Sequence, residues 1–169
     1  MPLELDNLGL PPAHLNRHIA YDPGAVEVAR FVADALGCPL VEARFSRLLI
    51  DPNRGLDDPT LIMKFSDGVI IPANRSLDRF NDKALWQARV DAYYGPYHGA
   101  ITAVLARAAQ QNIAPIILSV HSFTPIWKNQ ARPWQAAVLW DKDDRLRNLA
   151  IAHMRQYEGL NFGDNVPYS

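Results

Sequence analysis

The stretch Ile116-Ile117-Leu118-Ser119-Val120-His121-Ser122-Phe123-Thr124-Pro125 decides the fold. Its opening residues are mostly apolar and β-branched, and it closes on a histidine, a hydroxyl and a proline turn. That is the pattern of a buried strand ending abruptly in polar groups. In an open α/β sheet, ligands bind beyond the carboxyl ends of parallel strands. His121 at such an end can reach a substrate or a metal while the strand fixes its backbone. A second apolar run, Leu48-Leu49-Ile50, ends in Asp51-Pro52-Asn53-Arg54, with Phe45-Ser46-Arg47 just before it. Taken singly, these residues have plainer uses: a hydrogen-bonded structural histidine, or arginines paired at the surface. Taken together, an imidazole that can ligate metal and two guanidinium groups suggest a site for an anionic ligand.

Outward from these two knots, the chain alternates helices and strands. Gly24 to Leu36 reads as a helix with Val28, Phe31, Val32, Ala35 and Leu36 on one face and Gly37 just past its end. Pro39 to Ala43 and Leu48 to Ile50 are short strand candidates. Residues 51–80 are rich in breakers, with Val69 to Ile71 as a small hairpin strand; a long loop in a compact domain is usually functional or mobile. A long helix follows, from about Asn81 to Gln111, carrying Trp86, Val90, Tyr93, Tyr97, Ile101, Val104 and Ala108 at helical spacing. Gly95-Pro96 should kink or break it. Ala136 to Trp140 is another short strand. Asp143 to Tyr157 is an amphipathic helix with Leu146, Leu149, Ala150, His153 and Met154 inward. The expectation is a single α/β domain over residues 1–169, with a mostly parallel or mixed central sheet flanked by helices.

Composition sets outer limits. The chain has 169 residues, 49% of them hydrophobic and 21% charged, enough for one domain with a hydrophobic core. A net charge of −1 gives no electrostatic footprint for nucleic acid or for an anionic membrane. Cys38, the one cysteine, excludes an internal disulfide, fits a reducing cytoplasm, and reads as a small packed residue. No secretory leader opens the chain, and no apolar run is long enough to span a bilayer.

Five segments, in order, resemble the N-formylglutamate amidohydrolase family. They are His18-Ile19-Ala20-Tyr21-Asp22-Pro23-Gly24-Ala25; Ser46-Arg47-Leu48 with Asp51-Pro52-Asn53-Arg54; Tyr94-Gly95-Pro96-Tyr97-His98; Ser119 to Pro125 with Arg132-Pro133-Trp134; and Gly163-Asp164-Asn165-Val166-Pro167-Tyr168-Ser169. The Asp-x-Asn-Arg element is also similar to that of aspartoacylases and succinylglutamate desuccinylases, which share a zinc carboxypeptidase-like (phosphorylase/hydrolase-like) layer fold. The resemblance implies metal-assisted hydrolysis of an N-acyl amino acid such as N-formylglutamate, with zinc as cofactor and a small-molecule substrate. By it, His121 is a zinc ligand, and Asn53 and Arg54 anchor the substrate carboxylate. Arg47 is a second anchor or a carbonyl polariser, and Asp51 orients the turn or pairs with an arginine. Bidentate carboxylate binding suits the guanidinium fork, and bound zinc brings the pKa of water toward ~7.

Other polar residues keep two readings. Asp22 is an acidic metal ligand or an orienting partner, or else a helix cap. His98 contacts substrate or packs among Tyr93, Tyr94 and Tyr97. His14 and His18, four apart, could form a metal pair. Trp127, Trp134 and Trp140 line an acyl pocket or belong to a core, and His153 is structural. Relative to the family pattern, a His-Ala-Ser-Asn element is expected ahead of Pro2, and a Glu-x-Arg element, bearing the general-base glutamate, beyond Ser169. The chain is therefore expected to be shortened at both ends and impaired as a catalyst. The alternatives to an amidohydrolase are a non-catalytic module that binds a carboxylated metabolite, and a carboxypeptidase-like peptidase with an open groove.

Overall fold

The structure, a computed structural model, describes residues 3–127 and 129–166. Met1-Pro2, Lys128 and Pro167-Tyr168-Ser169, the last of which carries part of the family resemblance, lie outside them. The chain is mixed α/β and divides into two compact units, Met1–Ser122 and Phe123–Ser169.

The first unit opens on an irregular coiled segment, Leu3–Gly9, in which Asp6, Asn7 and Leu8 hold positive φ, and a short helix α1 (Pro12–Leu15). Helix α2 (Ala25–Leu36) begins with Glu27 in its first turn, where a carboxylate suits the helix dipole. It stops at Gly37, held at φ 60°. There the amide of Gly37 reaches Asp34 O and that of Cys38 reaches Ala33 O, the Schellman pattern that only glycine enters without strain. Strands β1 (Phe65–Ser66) and β2 (Val69–Ile70) form an antiparallel hairpin across Asp67-Gly68. A 3₁₀ turn, Pro72–Asn74, follows. Then α3 (Lys83–Arg89), capped by Asp82 on the Leu85 amide, runs through a π-helical turn (Val90–Tyr94) into α4 (Gly95–Gln110).

The core of this unit is Leu8, Leu10, Ile19, Leu48, Leu49, Ile50, Leu61, Ile62, Ile71, Leu77 and Val90, with Trp86, Tyr93 and Tyr94 packed against it. The segment Leu48–Ile50 is fully buried. It pins the polar turn that follows, since burying each such side chain contributes roughly 1.5–3 kcal/mol.

In the second unit, β3 (Ile126–Trp127) and β4 (Gln130–Ala131) form an antiparallel hairpin. β5 (Ala136–Val138) pairs in parallel with β6 (Phe162–Asp164), in the register Ala136–Phe162, Ala137–Gly163, Val138–Asp164. Helix α5 (Arg147–Met154) connects them.

Several expectations need correction. Residues 115–120 join no ladder among the described residues, and neither do 39–43 or 48–50. The described ladders are three two-stranded ones, two antiparallel and one parallel, in place of a central sheet. A strand is a property of a pair, and no ladder partner for the apolar run occurs among the described residues: Ile116, Ile117 and Leu118 stay exposed. Helix α2 exists as expected, but Val28, Phe31 and Leu36 are exposed and only Ala33 is buried. In α5, Leu149 is 68% exposed and Ile151 takes the buried position. Cys38 is exposed rather than packed. The long helix of residues 81–111 does form, and Gly95-Pro96 is absorbed by the π turn instead of breaking it. Among the described residues no helix is long and apolar enough to cross a membrane.

Candidate functional site

The site is built around a turn that its own residues fold. Asp51 Oδ1 accepts from the amide of Asn53 at 3.0 Å, and the amide of Arg54 closes on Asp51 O at 3.1 Å. Pro52 between them presets the backbone for such a turn. The Asp51 amide, in turn, donates to Leu61 O at 2.8 Å. Asp51 is 2% exposed, so its charge needs a partner. That partner is Arg47, whose Nη2 and Nε donate to Asp51 Oδ2 at 2.8 and 3.2 Å.

Arg47 also reaches Asp22 Oδ1 at 3.4 Å. The other Asp22 oxygen, Oδ2, accepts from His121 Nδ1 at 2.6 Å. The two residues are 99 positions apart in sequence, and the structure brings them into direct contact. On the far side of the ring, Ser119 Oγ lies 3.1 Å from Nε2. A hydroxyl, an imidazole and a carboxylate thus stand in line, an order of groups that can pass a proton. Burial acts to raise the Asp22 pKa, but the His121 hydrogen bond, the Arg47 charge and the Ser122 amide together hold it below the ordinary carboxylate value. The hydrogen bond to Asp22 raises the pKa of His121, against its burial and the Arg47 charge.

Asn53 and Arg54 are exposed at the mouth of the turn. Arg54 makes only long ion pairs, 3.9 Å to Asp51 and 3.6 Å to Asp58, and its side chain is 45% exposed. Its fork can therefore take up an incoming carboxylate. Arg47, by contrast, is committed to Asp51 and Asp22, which makes it a brace between two carboxylates. His98 donates from Nε2 to Pro52 O at 3.1 Å and stacks on Tyr94, with ring centres 4.2 Å apart. Its contact is with the turn itself. The Tyr94 hydroxyl donates to Arg54 O at 2.9 Å.

Beneath the turn lies a pair of buried groups that sequence reading missed. Arg89, 3% exposed, donates through Nη1 to Leu49 O at 2.9 Å and to Asn74 Oδ1 at 2.7 Å. Asn74 Nδ2 donates to Leu48 O and Met63 O at 2.7 and 2.8 Å. Burial lowers the Arg89 pKa. A signal was present: Arg89 interrupts the apolar stripe of Trp86, Val90 and Tyr93, and a charge on a buried stripe needs acceptors.

Other candidates settle elsewhere. His14 accepts from Arg17, and His18 lies 3.6 Å from Asp67, so the two histidines do not converge on a shared point. In the second unit, Trp127 lies under Arg132, Trp140 donates to Asp164 at 3.0 Å, and His153 packs against Tyr157.

The metal question can be put to these donors. His121 and Asp22 are of the right chemistry, but Asp22 uses one oxygen on the imidazole and the other on Arg47. A catalytic zinc takes three protein ligands. No group of three His, Cys, Asp or Glu able to hold a metal occurs among the described residues. Among the described residues, His121 and Asp22 are two donors of a kind that zinc accepts, and no third joins them.

Three comparisons bear on this geometry. No curated protein matches the chain. A solved structure, described as the crystal structure of gene product Atu2144 from Agrobacterium tumefaciens, is similar at 33% identity with a TM-score of 0.90. The match covers 99% of this chain and 65% of that one, so the chain spans about two-thirds of its length. The sequence model of the N-formylglutamate amidohydrolase family matches residues 1–169. The chain belongs to the N-formylglutamate amidohydrolase family.

Proposed function

We propose that the chain carries the carboxylate-anchoring and proton-handling side of an amidohydrolase site, with an N-acyl amino acid such as N-formylglutamate as substrate. The observation that carries this reading is the Asp51–Arg54 turn. It is locked by its own hydrogen bonds and seated on a buried apolar run, and it presents the Arg54 fork and the Asn53 amide to solvent. Arg54 would bind the substrate carboxylate in two-point fashion, and Asn53 would donate beside it. Arg47 would hold Asp22 and Asp51 at fixed separation.

His121 would then face the scissile amide. With Nδ1–H on Asp22, its Nε2 faces the reacting groups and holds either a proton, which it can pass to the departing amine, or a metal, in which case it passes none. Zinc belongs to this proposal through kinship. His121 Nε2, its ring fixed by Asp22, would be one ligand, with Asp22 as its orienting partner or as a second ligand. When bound, the metal would polarise the amide carbonyl and supply an activated water. The zinc carboxypeptidase-like layering is proposed on the same kinship.

A second reading, a carboxylate-binding module without turnover, is favoured by the contrast between a finished anchor turn and two metal donors. Calorimetry with N-formyl-L-glutamate, with and without zinc, separates the two. Binding that needs Arg54 but is indifferent to zinc, without release of formate, supports the module. Zinc-dependent formate release, lost with a chelator and in H121A, supports the enzyme. Binding unaffected by R54A rejects both.

A further inference from the structure

The rod α3–π–α4 meets three backbone carbonyls, two in the anchor turn and one in the buried run that leads into it. Arg89 donates to Leu49 O at 2.9 Å, Tyr94 to Arg54 O at 2.9 Å, and His98 to Pro52 O at 3.1 Å. The spacing of these residues is informative. His98 lies four positions past Tyr94, which an α-helix brings to the same face. Tyr94 lies five past Arg89, and at 3.6 residues per turn that step would leave them about 140° apart. The π turn closes i to i+5, so residues five apart return near one face.

The sequence explains why the turn is there. Pro96 has no amide to continue the regular ladder. Gly95 lets its backbone come close to Val90 O, which an added Cβ would meet at 3.3 Å. The amide of Gly95 bonds to Val90 O, the five-residue step itself. Isolated π turns recur at functional sites, where they re-aim side chains.

We propose that the π turn Val90–Tyr94 sets the register of a three-point clamp, in which Arg89, Tyr94 and His98 are positioning residues for the Asp51–Arg54 turn. The proposal rests on the reading of that turn as a carboxylate anchor. It gives His98 a role distinct from substrate contact. The ring donates its Nε2 proton to a carbonyl, which only accepts, so it holds Pro52 and thereby the backbone that carries Asn53 and Arg54. The clamp acts on carbonyls rather than side chains, so it fixes the turn without competing for the guanidinium of Arg54.

The test uses the full 169-residue chain and two independent readouts. The first is amide hydrogen exchange at Asn53 and Arg54, whose N–H groups close the turn on Asp51. The second is calorimetric binding of N-formyl-L-glutamate. In Y94F/H98A, exchange at these two amides should quicken by about tenfold, the scale of losing one or two net hydrogen bonds, with Asn74 and Leu77 unchanged. Binding should weaken several-fold while the melting temperature barely moves. H98Q, which keeps a donor, should restore part of both. G95A, whose added Cβ would meet Val90 O at 3.3 Å, presses on the five-residue bond itself and should quicken exchange at the same two amides.

Exchange at Asn53 and Arg54 no faster than in the unaltered chain, or faster only in step with the whole core, overturns the clamp. Failure of the anchor is a separate result: R54A would then bind the ligand as well as the unaltered chain does, whatever the exchange rates show.

Discussion

Arg54 and His121 carry the proposed chemistry, and each has a direct test. Replacing Arg54 with Ala removes the guanidinium at the turn whose ion pairs are long, 3.9 Å to Asp51 and 3.6 Å to Asp58. It should weaken N-formyl-L-glutamate binding by at least about tenfold, a charged hydrogen bond being worth roughly 1.5–3 kcal/mol. R54K should recover little, since a point charge cannot make a two-point contact. For His121, the pairing with Asp22 gives a signed expectation. Asp22 has its pKa lowered, so its contribution is present above its ordinary value of 3.8 and is lost as pH falls through the depressed one. His121 has its pKa raised, so its contribution is complete below its ordinary value of 6.5 and fades as pH rises through the elevated one. The pair therefore ties the two segments most firmly between these two values. By NMR titration, His121 should titrate above 6.5 in the native chain and shift back toward 6.5 in D22N; an unchanged midpoint would mean that the contact does not persist in solution. What the sequence made legible at this scale was local. Asp51-Pro52-Asn53-Arg54 announces its own turn because an Asp side chain bonds two residues ahead. The Asp22–His121 contact spans 99 positions and has no local cause, so Asp22 stood equally as a helix cap.

Helices were legible where periodicity and stop residues coincide. Helix α2 ends at Gly37 for a reason visible in the chain, and the helical rod was read to within two residues of its ends. The π turn was not, because Gly95-Pro96 signals a break in the ladder without saying how the chain repairs it. The strands fared worse. Ile116 to Val120 has strand composition, but pairing depends on a neighbour that composition does not name. Asn74 shows the same limit at a loop: nothing near it in sequence marks the carbonyls of Leu48 and Met63 as its partners. Replacing Asn74 with Ala leaves both carbonyls and one acceptor contact of Arg89 unmet. At ~1–3 kcal/mol for each unmet buried group, it should lower stability by several kcal/mol in urea unfolding. N74D, which keeps the acceptor for Arg89 but not the donor, should fall between.

Across the whole molecule, family membership and a mixed α/β fold are established, and many large apolar side chains are exposed among the described residues. Ile116, Ile117 and Leu118 are 44%, 66% and 57% exposed, and Phe31 and Leu36 of α2 are 74% and 71%. Exposed apolar strand-formers invite edge pairing between copies. I117K should therefore reduce concentration-dependent association in light scattering while leaving the unfolding midpoint nearly unchanged; a large loss of stability would mean that Ile117 is buried in solution. The central claim is that the Asp51–Arg54 turn binds the carboxylate of an N-acyl amino acid. The most direct measurement is calorimetric titration of the purified chain with N-formyl-L-glutamate, beside R54A and beside N-formyl-L-glutamine as a ligand with one carboxylate fewer. Saturable binding in the native chain that R54A weakens by about tenfold or more, with the α-carboxylate retained as the common requirement, is the expected result. Equal binding by the native chain and R54A would contradict it.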